Sequence, residues 1–234
     1  AMGAQPICAF VTLGLRPDLT VSSIDLLYQG FLDSCRNYSF LLMGGDIVKS
    51  ERCFINVTMI GICDERPMAR TNATIGDSIA VTGPLGGSAA GLKLLSSESN
   101  LDIQAAQRLV KSHLRPTPRL KEGRTLLKSE VRCAMDISDG LVADLEKLCK
   151  ASGTSAEIIS TSVPQHSDLK SLVSTDCALQ LALNGGEEYE LVFTGSPENV
   201  RSLVDNMPGS AVIGSITEGP PGQVSVLDKY GKMV

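Results

Sequence analysis

The sequence predicts an α/β (α+β) protein with mixed sheets, divided into two domains. Segments of alternating apolar residues and segments of helical periodicity follow one another along the 234 residues. Glycine-rich turns separate them, and one polar stretch, 66–77, interrupts them. Hydrophobic residues are 43% of the chain, enough for a sizeable buried core.

The first apolar run, Ile7 to Leu13, reads as a strand. Thr20 or Ser22 can cap a helix whose apolar positions Ile24, Leu27, Tyr28, Phe31 and Cys35 form one face, which should lie on a sheet. A short strand, Ser39 to Met43, precedes a Gly44-Gly45 turn. A longer strand, Cys53 to Cys63, alternates Ile55, Val57 and Met59. The polar stretch then places the domain boundary so that residues 1–75 and 76–234 form the two domains. Beyond it come strand Ser78–Thr82, a glycine turn, and helices at about 88–95, 103–113 and 119–128. Strand Arg132–Met135 and a helix from Asp139 to Ser152 follow, with Leu141, Leu145 and Leu148 on one face and Gly153 as C-cap. Strand 156–159, helix 176–183, strand 189–193, helix 197–206 and strands near 211–216 and 223–227 complete the reading.

Composition excludes several classes of function. Aromatic residues are 4% and Trp is absent, leaving little with which to stack bases, and a net charge of −5 disfavours binding along a phosphate backbone. No apolar run approaches the length of a membrane span, and no basic, then apolar, leader opens the chain. The seven cysteines are scattered and never spaced C-x-x-C, which reads as reduced, mostly buried thiols of a cytoplasmic protein. Two distant histidines argue against a histidine-based metal site.

Three acidic motifs beside glycines remain as candidates for chemistry. In Met43-Gly44-Gly45-Asp46, Asp46 sits at a strand end. It could bind Mg²⁺, which takes one or two carboxylates plus waters and phosphates, or it could belong to a plain turn. In Asp136-Ile137-Ser138-Asp139-Gly140, two carboxylates and a hydroxyl crowd a helix start. Ser138 or Asp139 accounts for an N-cap, and Asp136 beside another carboxylate implies repulsion unless a cation or hydrogen bonds compensate, so metal or phosphate binding and pure capping fit the motif equally. In Asn184-Gly185-Gly186-Glu187-Glu188-Tyr189-Glu190-Leu191 a carboxylate pair follows a double glycine, as a surface turn also would. The loop Thr82-Gly83-Pro84-Leu85-Gly86-Gly87-Ser88 lies between strand and helix but matches no standard phosphate loop, so it reads first as a tight turn and second as an anion contact. Arg70 and the pair Arg115 and Arg119 could grip phosphate or could simply be solvated.

Taken in order, these motifs resemble the thiamine-monophosphate kinases, of the superfamily that also holds aminoimidazole ribonucleotide synthetase, selenophosphate synthetase and a hydrogenase maturation factor. The resemblance runs through Ala1-Met2-Gly3-Ala4, Gly44 to Asp46, Arg70 to Asp77, Val81 to Gly83, Ser88 to Leu92, His113 to Arg119, Asp136 to Leu141 and Gly185 to Leu191. It implies a two-domain aminoimidazole ribonucleotide synthetase-like fold that dimerises through its N-terminal sheet. It also implies Mg²⁺-assisted, in-line transfer of a phosphoryl group from ATP to thiamine monophosphate, giving thiamine diphosphate without a protein nucleophile. By the same resemblance Asp46, Asp136 and Asp139 bind Mg²⁺; Tyr28, Gly45, Asp46, Arg70 and Ser138 meet ATP; and Glu187 meets the thiamine part of the substrate.

The sequence also departs from the family. Its members begin upstream with an acidic, metal-binding segment and end in a tail carrying an aromatic that stacks on the substrate. Glu188 stands where Asp is usual and Ile47 where Thr is common. The chain therefore reads as a member truncated at both ends, with its N-terminal domain incomplete. The competing expectation is a non-catalytic, nucleotide-binding or dimerising remnant of the same fold.

Overall fold

A computed structural model describes residues 2–97 and 103–234, so Ala1 of the first motif lies outside the described residues. The chain separates into two compact units, one of residues 4–65 and the other joining residues 2–3 to 66–234.

The smaller unit is a three-stranded mixed sheet with one helix. Strand β1 (Gln5–Leu15) is central, parallel to β2 (Leu41–Lys49) and antiparallel to β3 (Phe54–Ile62). Helix α1 (Val21–Tyr38) starts at Thr20, whose hydroxyl accepts from the Ser23 amide at 3.2 Å. It ends at Ser39 in the left-handed conformation, φ 56°. None of its residues is fully buried; its apolar face is half-covered, and Tyr28 and Phe31 meet edge to face at 5.8 Å. The buried residues of this unit lie on β1: Ala9, Val11, Leu13 and Gly14.

The larger unit is built on a six-stranded sheet ordered β5-β7-β4-β8-β6-β9. Its strands are β4 (Ser78–Val81), β5 (Cys133–Asp136), β6 (Ser155–Ile159), β7 (Leu191–Gly195), β8 (Ala211–Thr217) and β9 (Val224–Leu227). Only β6 and β9 run parallel, so this sheet too is mixed. Around it lie α2 (Gly87–Leu95), α3 (Gln104–Leu114), α4 (Leu120–Lys128), α5 (Leu141–Ser152), α6 (Thr175–Asn184) and α7 (Pro197–Asp205).

Strand alternation divides the helices into two layers. Ile79, Val81 and Val192 face the core made by Leu141, Leu145, Leu148, Ala182 and Leu183 of α5 and α6. On the other face, Gly195 approaches Val200 of α7 and Leu191 approaches Gly123 of α4. This placement brings the ends of β5 and β7 and the start of α5 together at one edge.

Three sequence expectations change. The second strand does not stop at Met43: β2 continues to Lys49, because β1 is long enough to offer ladder partners as far as Leu15. Helix α5 begins at Leu141 rather than Asp139, and its N-cap is Gly140 with no side-chain bond of its own. The thiols are not mostly buried: Cys133 and Cys149 are, Cys53 is exposed, and the other four are intermediate. Burial raises the Cys149 thiol to about 11, out of the reactive range. Among the described residues the cysteines form no disulfide. Among the described residues no helix is long and apolar enough to cross a membrane.

Candidate functional site

In the smaller unit the glycine pair and Asp46 are carried inside β2. Gly44 pairs with Phe10, Gly45 with Val11 and Asp46 with Thr12, and a register shift before Gly44 leaves Met43 as the extra residue of a bulge. Glycine at 45 has a steric cause, since a Cβ there would overlap the Val11 carbonyl. Asp46 is exposed, one oxygen accepting from the Ile47 amide at 2.8 Å. The glycines therefore serve close strand approach and a bulge, not a turn.

In the larger unit, β5 and β7 are paired to their ends, Asp136 opposite Leu191. Backbone bonds continue past the strands: the Ile137 amide donates to the Glu190 carbonyl, the Tyr189 amide to the Ile137 carbonyl and the Glu187 amide to the Ser138 carbonyl, each at 2.8 Å. Two of the three acidic motifs are thus laced side by side. Gly140 and Gly186 allow it. A Cβ on Gly140 would stand 2.8 Å from the Asn184 carbonyl oxygen, and one on Gly186 would stand 2.7 Å from that of Ser138.

A residue that sequence reading passed over organises the Asp136–Gly140 motif. Asp144, in the first turn of α5 and fully buried, accepts from the Ser138 amide at 2.8 Å and the Asp139 amide at 2.9 Å. Its other oxygen meets Lys147 Nζ at 2.7 Å. Asp144, not Ser138 or Asp139, therefore satisfies the amides that precede the helix, and the side chains of Ser138 and Asp139 are left for other partners. An acidic residue in the first turn of a predicted helix was the available signal. Lys147 also pairs with Asp139, holding that carboxyl below its usual range. Asp136 is part-buried at the strand end, Asp139 exposed, and Ser138 Oγ lies 3.3 Å from Asp139.

The Asn184–Leu191 motif runs as a ribbon of alternating direction. Glu187 is exposed, and the Tyr189 hydroxyl donates to its carboxylate at 2.9 Å. That bond, with the charges of Glu187, Asp136 and Asp139, raises the Tyr189 phenol above its ordinary value. Glu188 turns the other way, one oxygen accepting from the Gly86 and Ser88 amides at 3.0 and 3.1 Å. The glycine loop at the start of α2 does hold a carboxyl group, and it is the protein's own. Burial dominates over these amides and pushes the Glu188 carboxyl up to about 7.

The arginines divide as well. Arg119 grips the buried Glu190 with Nε at 2.8 Å and its second nitrogen, while Thr82 Oγ1 donates to the same carboxylate at 2.6 Å. Its fork is spent within the protein. Arg70 is exposed, and its carbonyl accepts from Ser152 Oγ at 3.0 Å. Arg115 is exposed on the wall of a cavity of about 360 Å³ shared with Lys111, Arg119 and Glu188.

Asp136, Ser138, Asp139 and Glu187 offer only oxygen donors, a set suited in chemistry to Mg²⁺ rather than to a soft metal. Among the described residues no three His, Cys, Asp or Glu side chains converge where an ion could sit. An ion bound by this unit would thus draw its remaining ligands from water and phosphate, as Mg²⁺ commonly does.

Both parts of the chain resemble known proteins. Residues 1–63 match the family AIR synthase related protein, N-terminal domain, and residues 74–227 its C-terminal domain. The chain is 38% identical over 221 residues to the thiamine-monophosphate kinase of Aquifex aeolicus, covering 94% of this chain and 70% of that protein. It is 38% identical over 200 residues to that of Haemophilus influenzae, covering 85% and 60%. Among solved structures, AaThiL complexed with AMPPCP and TMP superposes with a TM-score of 0.89 at 36% identity, over all of this chain and 73% of that one. The chain thus spans between 60 and 73% of these relatives' lengths.

Proposed function

The chain belongs to the AIR synthase related proteins and, within them, to the thiamine-monophosphate kinase family, and on that premise we propose that it carries out ATP-dependent phosphorylation of thiamine monophosphate to thiamine diphosphate. One observation supports this most: the Asp136–Asp139 loop and the Glu187 ribbon, far apart in sequence, are joined by backbone bonds into one edge bearing carboxylates and a hydroxyl. Its fold matches a relative complexed with an ATP analogue and TMP.

In this reading Asp46 of the smaller unit and Asp136 and Asp139 of the larger are the Mg²⁺ ligands. Mg²⁺, when bound, supplies positive charge to the phosphates between which the group moves. The protein's part is positioning. Gly45, Arg70 and Ser138 bind the nucleotide, with Tyr28 beside it, and Glu187 places a carboxylate against the cationic ring of thiamine. Transfer is direct and in line, so no side chain becomes phosphorylated.

Cysteines that form no disulfide among the described residues suit a cytoplasmic setting. The exposed apolar residues Phe54, Ile55, Val57 and Met59 of β3 support a homodimer formed through the smaller unit's sheet.

The test is conversion of thiamine monophosphate by the full-length protein with ATP, with and without Mg²⁺, beside Asp136→Asn. Turnover that needs Mg²⁺ and falls at least roughly 100-fold in the variant supports the reading. Nucleotide binding without turnover would instead mark a non-catalytic relative.

A further inference from the structure

Between Gly186 and Leu191 the side chains alternate, Glu187 and Tyr189 turning out and Glu188 and Glu190 turning in. The outward pair have backbone φ of 63° and 55°, left-handed values that non-glycine residues keep only where their surroundings impose them. The inward pair are where that imposition comes from. Glu188 is fastened to the Gly86 and Ser88 amides, and the Ser88 hydroxyl bonds His113 Nδ1 at 3.0 Å. Glu190 is fastened to Arg119 and Thr82, and Thr82 Oγ1 in turn accepts from the Leu191 amide at 2.8 Å. His113 and Arg119, the two ends of the His113–Arg119 stretch, thus support one anchor each.

We propose that Glu188 and Glu190 are positioning residues that clamp the ribbon so that Glu187 and Tyr189 act as a pair toward the substrate, the Tyr189 hydroxyl fixing the Glu187 carboxylate. The group this pair meets is the positively charged heteroaromatic part of the phosphate acceptor; this rests on the function proposed above. A carboxylate free to rotate must be ordered when the ligand arrives, whereas one already held by a phenol is not, and that difference falls on acceptor binding rather than on ATP. Arginine at 119 follows from the same geometry, since lysine has no fork with which to hold both Glu190 oxygens.

The full-length enzyme with Tyr189→Phe, Glu188→Ala, Glu188→Gln and Arg119→Lys tests the clamp. Tyr189→Phe, Glu188→Ala and Arg119→Lys are expected to raise KM for thiamine monophosphate roughly tenfold while KM for ATP stays within about twofold. Glu188→Gln, which keeps an acceptor for the two amides, recovers most of the loss. Equal rises in both KM values, or none, would overturn the proposal. Hydrogen exchange of the 184–191 segment reads the clamp without turnover: faster exchange at the Glu187 and Tyr189 amides in Glu188→Ala supports it, and unchanged exchange refutes it. If the unaltered enzyme neither binds nor converts thiamine monophosphate, the assigned reaction fails while the exchange result still decides the clamp.

Discussion

Replacing Glu188 with Gln should make the protein more stable at pH 8 and leave it nearly unchanged at pH 5. In the unfolded chain the Glu188 carboxyl ionises near 4.5, and in the folded protein burial lifts it to about 7. Between those values the folded state keeps a proton that the unfolded chain has released, so stability falls as pH rises through this window. A rise from 4.5 to about 7 corresponds to at most about 3 kcal/mol, and for a protein of this size to roughly 6–12 °C in Tm. Gln imitates the protonated acid: it is neutral and still accepts from the Gly86 and Ser88 amides. Other charges face this site, namely Glu190 with Arg119 on one side and Arg108, Lys111 and His166 across the shared cavity. Burial lowers the His166 pKa, which by itself makes stability increase with pH in an overlapping range. His166 is present in both proteins and cancels in their difference. Urea unfolding of the two proteins at half-unit steps from pH 5 to pH 8 is the assay. Parallel curves across that range would show that Glu188 is ionised throughout and would refute the argument.

Two further substitutions probe the smaller unit and the α5 start. Asp144→Ala leaves the Ser138 and Asp139 amides and Lys147 without their buried partner, and should cost roughly 3 kcal/mol or more in urea unfolding, with Asp144→Asn losing less; equal stability of the alanine variant would show that the loop holds itself. Gly45→Ala forces β1 and β2 apart at Val11 and should cost roughly 2 kcal/mol or more. Faster hydrogen exchange along Val11 to Leu13 would register this, and unchanged exchange would mean that the bulge at Met43 absorbs the methyl group.

Which features the sequence disclosed depends on whether their cause was local. Periodicity and caps are local, and the elements followed them to within a few residues: Thr20 caps α1, Gly153 ends α5, and Pro197 opens α7 as sequence logic requires. The glycines misled where their reason lay elsewhere in the chain. Gly44-Gly45 looks like a turn because a turn is what two glycines permit locally, but Gly45 is demanded by a carbonyl of Val11, thirty-four residues away in sequence. Gly186 likewise answers to the Ser138 carbonyl, and that constraint presses the two acidic motifs together.

The same distinction separates the acids. Asp139 and Glu187 stand out in sequence because a glycine adjoins each, and Asp136 because it ends an apolar strand three residues before Asp139, whereas Asp144 and Glu190 resemble any carboxylate on a helix or before a strand. Yet Asp144 and Glu190 are the buried ones, held by partners in the α5 loop, in Thr82 and in Arg119. Exposed carboxylates can hold a cation in a defined geometry only if a fixed backbone presents them. Here that backbone is fixed by charges turned inward, whose burial is tolerable because each is fully hydrogen-bonded. Arg119 shows the consequence. Read alone it is a free cation suited to phosphate; in the fold it neutralises Glu190, and its influence on any ligand passes through the ribbon that presents Glu187.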